Sequence, residues 1–181
     1  MSYHRPLIIT LALSDTDQQF FNVLRKTHFP SHSNYLQAHI TLFHSLPSDE
    51  PFITEQLAIF AQRTTMTLQV SRLSNMGHGV AYSLISEDLQ QLHVRMQEAF
   101  KPWLMKQDQQ KLWPHITIQN KVTTFKAQQL YEQLQADFTP FDVKATGFNT
   151  WIYLKGPWKA VANYSFLTTD ATAVSTAHHH K

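Results

Sequence analysis

The chain has 181 residues, no cysteine, and 15 Lys+Arg against 13 Asp+Glu. That length supplies one good core, and the missing thiols exclude disulfides, thiolate nucleophiles and cysteine-based metal sites. A formal net charge of only +2 is not the footprint of a protein that coats long nucleic acid, and no apolar run is long enough to span a membrane.

Leu7 to Leu13 is apolar and β-branched and reads as a buried strand. No leader pattern is expected before it. Ser14 or Asp15 caps a helix to about Lys26, with Phe20, Val23 and Leu24 as its apolar stripe. Residues 28–37 read as a loop, followed by a strand over about His39 to Ser45. Pro47, Ser48 and Pro51 introduce a second helix with Ile53, Leu57 and Phe60 inside. Met66 to Leu73 reads as a strand, and Ser74 to Gly77 as a turn. The series then restarts. Val80 to Ile85 is a strand, and Glu87 to about Lys106 a helix with Leu89, Leu92, Met96, Phe100 and Trp103 on one face. A strand over His115 to Val122 follows, then a helix capped by Thr124 with Ala127, Leu130, Tyr131 and Leu134 inside. Phe141 to Ala145, Trp151 to Leu154 and Val161 to Phe166 read as closing strands.

The two halves share an order of strand, helix, strand, helix, strand, which reads as an internal duplication. The middle strand of each half carries the same motif: His39-Ile40-Thr41-Leu42 and His115-Ile116-Thr117-Ile118. Side chains alternate along a strand, so each histidine shares a face with its threonine while the aliphatic residues fill the other. A bare H-x-T is expected about once in a chain with this many histidines. Two copies in register with a repeat are a different matter, and packing about a local two-fold would set them across a cleft.

Two histidines across a cleft suit concerted acid–base work, since imidazole takes and gives a proton near pH 7. Two threonine hydroxyls would hold the non-bridging oxygens of a phosphodiester and stabilise charge building at phosphorus. No Asp, Glu or Cys joins the motif at ligand spacing, so phosphoryl chemistry without a metal is expected. Continued alternation would add Phe43 and Ser45 beside His39, and Gln119 and Lys121 beside His115. Phe43, Gln119 and Lys121 are therefore further candidates for substrate contact. His44, on the opposite face of a regular strand, is not.

The doubled motif, His39 to Phe43 and Pro114 to Ile118, resembles the 2H phosphoesterase superfamily, in its 2′-5′ RNA ligase-like and cyclic phosphodiesterase branch. The resemblance covers about residues 5–168. It implies an α+β fold, two-lobed and duplicated, each lobe a mainly antiparallel sheet flanked by helices, with the motif strands lining a central groove. It also implies hydrolysis of a 2′,3′-cyclic phosphate on a nucleotide or RNA end to a 2′-phosphate. His39 and His115 would be catalytic, Thr41 and Thr117 would bind phosphate, and no metal or cofactor would take part. The alternatives are reversible 2′-5′ ligation of tRNA halves and a nucleotide or RNA-end binding module without turnover. Specificity is expected from loops 28–37 and 146–150. A single domain over 1–168 and a disordered tail over 169–181 are expected. The His178 to His180 triplet of that tail reads as a cloning remnant or a weak metal binder. A cytoplasmic monomer with no membrane association and no protein partner completes the expectation.

Overall fold

Hydroxyl caps fix the starts of three helices, and the Glu50 carboxylate caps another by accepting the Phe52 N–H. Ser14, Ser86 and Thr123 accept the backbone N–H of Asp17, Leu89 and Lys126 in turn, satisfying donors that the first helical turn leaves unpaired. In the computed structural model, residues 5–168 are described. They form β1 (Pro6–Leu13), α1 (Asp15–His28), β2 (Ile40–Pro47), α2 (Pro51–Phe60), β3 (Met66–Asn75), β4 (Val80–Ile85), α3 (Glu87–Phe100), β5 (His115–Gln119), α4 (Thr124–Gln135), β6 (Phe141–Tyr153) and β7 (Trp158–Ser165), with short 3₁₀ turns between some of them. The expected tail and its histidine triplet lie outside the described residues, as does His4.

The architecture is α+β, an antiparallel sheet flanked by helices. Strand order is β2-β1-β6-β3-β4-β5 with β7 also on β6. Ala145 pairs with both Leu13 and Met66, so β6 carries β1 along one edge and β3, then β7, along the other. The duplication is visible in the pairing, with an exchange. Each repeat pairs its own first two strands, β1 with β2 and β4 with β5. The third strand crosses over: β3 joins β4, and β6 joins β1. The sheets of the two lobes are thereby continuous through β6. Its two ends, β2 and β5, return into contact with one another. One apolar core, including Ile9, Phe21, Leu42, Leu57, Leu68, Met96, Ile116 and Phe148, backs the whole sheet.

Three local differences from the sequence reading have physical causes. Residues 141–153 are one strand, so 146–150 is not a loop. Gly147 permits this, since a Cβ there would sit 2.4 Å from the Tyr164 carbonyl oxygen on β7. α3 stops at Phe100 because Pro102 lacks an N–H and its ring breaks the helical ladder. α1 buries Phe21 and Arg25, while Phe20 and Val23 are about half exposed, at 47% and 53%. Phe20 instead meets Phe141 on the rim, ring to ring at 5.4 Å. Among the described residues no helix is long and apolar enough to cross a membrane.

Candidate active site

The two motifs lie on β2 and β5, the sheet ends that meet. His39 stands just before β2 and His115 begins β5. Their imidazoles are held in the same way. His39 Nδ1 lies 2.8 Å from the Gln37 carbonyl oxygen, and His115 Nδ1 lies 2.8 Å from that of Trp113. A carbonyl only accepts, so each Nδ1 carries a hydrogen and each Nε2 is left as the working nitrogen. Each ring also rests against a tryptophan. Trp113 stacks on His115 at 3.9 Å and 13°, and Trp158 meets His39 at 4.7 Å and 52°. Trp113 is pinned in turn by its Nε1–H to Ser83 Oγ at 3.0 Å. Among the described residues neither Nε2, and neither hydroxyl of Thr41 and Thr117, has a protein partner. All four polar groups are available to a ligand.

Electrostatics favours neutral rings. Burial pushes His39 down to about 4, and the positive charges of Arg25, His115 and His44 add to this, against the Gln37 carbonyl. His115 is also lowered by burial, opposed by the Trp113 carbonyl.

Phe43 and Gln119 do not extend the site. Both are buried, Phe43 against His93 and Phe100 in the core. The cause is the same in both strands: a β-bulge just after the H-x-T. Between Thr41 and Phe43, two steps along β2 oppose one along β1, from Thr10 to Ile9. Between Thr117 and Gln119, two steps along β5 oppose one along β4, from Ala81 to Val80. An extra residue reverses the alternation, so the side chain expected to face the ligand turns into the core. Gly79 makes room for the second bulge, since a Cβ there would lie 2.0 Å from the Gln119 carbonyl oxygen. Lys121 falls beyond the end of β5, exposed and in a left-handed turn with φ of 60°. It does not continue the face of His115.

The bulge in β2 also brings in residues that alternation excluded. His44 turns to the outside, where its charge bears on both motif histidines. Buried Asp108 holds it: the carboxylate accepts the His44 N–H at 2.9 and 3.0 Å and the Ser45 N–H at 3.1 Å, and pairs with His44 Nδ1 at 2.8 Å. Arg25 is the other addition. It lies beneath the motif strands, donating to the Thr117 carbonyl at 2.9 Å and to Asn34 Oδ1 at 2.8 Å, with its guanidinium 4.1 Å over Phe29. Burial lowers it to about 10, which leaves it a cation at neutral pH. Among the described residues it has no carboxylate partner, so its charge is available to a nearby anion. A stripe read as Phe21, Leu24, Arg25 and His28 would have found it. Among the described residues no three His, Asp or Glu side chains are grouped to hold a metal ion.

A family model described as the 2′-5′ RNA ligase superfamily matches residues 13–157. None of the curated proteins matches in sequence. Among solved structures, the chain is similar to Escherichia coli LigT in its apo form, at 15% identity and a TM-score of 0.58, covering 91% of this chain and 99% of that one. E. coli LigT complexed with 3′-AMP matches at 14% identity and 0.57 over the same shares. The protein TT0787 of Thermus thermophilus matches at 13% and 0.61, covering 89% of this chain and 97% of that one. At these identities the structures speak for the fold.

Proposed function

The chain belongs to the 2′-5′ RNA ligase superfamily, and on that premise we propose that it is a phosphodiesterase that opens 2′,3′-cyclic phosphates on nucleotides or RNA ends. The observation that carries this reading is the pair of imidazoles with their Nδ1 atoms tied back and their Nε2 atoms free, accompanied by two hydroxyls without partners.

In the step proposed, a water oxygen attacks phosphorus while His115 Nε2 takes its proton. The phosphorus bond to the ribose 3′-oxygen breaks, and His39 Nε2–H gives that oxygen a proton. A 2′-phosphate remains. Thr41 and Thr117 donate to the two non-bridging oxygens as negative charge builds on them, and the Arg25 cation favours an anion in the groove. Burial favours the neutral form of both rings, so the proton on His39 arrives with the anionic phosphate, which offsets the burial penalty. No metal enters the step. That E. coli LigT has been solved with phosphate and with 3′-AMP agrees with a phosphate-binding groove.

The test is product-resolved hydrolysis of nucleoside 2′,3′-cyclic phosphates. His39→Ala and His115→Ala are each expected to lose about 10²- to 10⁴-fold in rate, with EDTA leaving the parent unchanged. Variants as active as the parent, or loss of activity in EDTA, would refute the mechanism. The same assay with a 5′-hydroxyl RNA added shows whether the groove also joins ends.

A further inference from the structure

Arg25 is a buried cation, 5% exposed, whose hydrogen-bonding capacity is only partly used. Nε and Nη1 each donate within the protein, to Asn34 Oδ1 and the Thr117 carbonyl. Nη2 and the second Nη1 hydrogen have no protein acceptor among the described residues. Cations in the last turn of α1 complement the helix dipole, which accounts for Lys26 and would account for an arginine left in water. It does not account for taking a guanidinium out of water with no carboxylate beside it. Arg25 lines a cleft of about 390 Å³ between α1 and residues 34–37, together with Lys26, Asn22, Asn34 and Gln37. None of His39, Thr41, His115 and Thr117 lines that cleft, and neither does any Asp or Glu. Its wall offers donors. Asn22 Oδ1 accepts the Ala38 N–H and Gln18 Nε2, both at 2.9 Å, and Asn34 Oδ1 accepts Arg25 Nε–H at 2.8 Å. Because those N–H groups only donate, both amides are oriented, and each keeps its Nδ2 hydrogens unused among the described residues. Lys26 is exposed, and its ammonium has no acidic partner among the described residues.

We propose that this cleft is a second anion site, built for a phosphate group distinct from the one at the H-x-T motifs: Arg25 and Lys26 supply the charge, and the Asn22 and Asn34 amides donate to the remaining oxygens. A tetrahedral phosphate accepts in several directions at once and is held best by charged donors. A flat carboxylate has fewer oxygens to offer such a wall, and a cation would meet two like charges. The site goes beyond the hydrolysis proposed above and does not depend on it. It adjoins the motif groove all the same, since Gln37 both lines the cleft and holds His39 Nδ1 by its carbonyl. The phosphate is a second one on the substrate or a free anion, and the same experiment separates the two.

The experiment follows the Arg25 Nε–H signal by NMR while inorganic phosphate replaces chloride at constant ionic strength. The signal should move and saturate, and acetate should move it less. Lys26→Gln, a change at an exposed position, should raise the half-saturating phosphate about three- to tenfold. The response should persist in the protein carrying both Thr41→Val and Thr117→Val, which lacks the hydroxyls of the motif site. A flat titration in the parent, an unchanged half-saturation in Lys26→Gln, acetate as effective as phosphate, or a response lost with the two hydroxyls overturns the site. Hydrolysis then identifies the phosphate. A lower KM for a dinucleotide with a 2′,3′-cyclic end than for the cyclic mononucleotide, lost in Lys26→Gln, puts a second substrate phosphate in the cleft. Equal KM values with phosphate binding retained assign it to a free anion. Saturable binding with no hydrolysis of either substrate keeps the site and removes the enzymatic reading.

Discussion

His39 should make the fold sensitive to acid, and the size of the effect follows from its environment. In the unfolded chain a histidine titrates near 6.5; in the fold burial holds His39 at about 4. Above pH 6.5 the ring is neutral in both states and contributes no pH dependence. Between 6.5 and 4 the unfolded chain gains a proton that the folded chain refuses, so stability falls as pH falls. Below 4 both states are protonated and the loss levels off. At pH 4.5 this amounts to at most about 2.5 kcal/mol, a ceiling because the half-buried ring keeps some contact with water. Urea unfolding of the parent and of His39→Gln at pH 7.5 and pH 4.5 measures it. The parent should lose roughly 1–2.5 kcal/mol more than the variant over that interval. Equal losses would show that His39 is not desolvated in the folded state, and the electrostatic account of the site would fail with it.

The same shifts set the pH dependence of hydrolysis. The kcat/KM profile should be a bell with one limb near 4 and the other below 6.5, since both rings are lowered; the shape is the same whichever histidine is the acid, and an optimum above pH 7 would contradict it. Asp108→Ala should destabilise the protein by about 2–4 kcal/mol, because two backbone N–H groups at the β2 bulge lose a charged acceptor; a loss under about 1 kcal/mol in urea titration would show the clamp to be idle. Gly79→Ala should cost about 1–3 kcal/mol and lower activity. The new methyl would meet the backbone of Gln119 and Asn120, which cannot rotate aside; a variant with parental stability and rate would refute that crowding.

Most of the element order could be read from the chain because the evidence for it is local. The hydroxyl cap at Ser14, the apolar spacing of α3 and the doubled H-x-T each depend on a few neighbouring residues. The site could be read as far as the motif's third residue and no further. Beyond Thr41 and Thr117 the two bulges reverse the alternation, and a bulge arises from how two strands pair, which no single strand records. Phe43 and Gln119 turn inward for that reason, and His44 turns outward for the same reason. Arg25 escaped because a lysine or arginine on a helix is ordinarily solvated, and its burial depends on β5, far along the chain. The tryptophans that flank the histidines come from segments as distant as Trp158. The continuous strand through 146–150 depended on the small size of Gly147 opposite β7.

The exchange of β3 and β6 between the repeats has a consequence for how the protein can be taken apart. A cut at the Met76–Gly77 turn gives two pieces, each lacking the strand that completes its own sheet. Neither piece can close alone, yet each holds what the other needs, so a nicked chain should remain one particle until denatured and should be rebuilt by mixing its fragments. The strands that carry the two motifs are thus joined to one another only through strands supplied by the opposite halves of the chain.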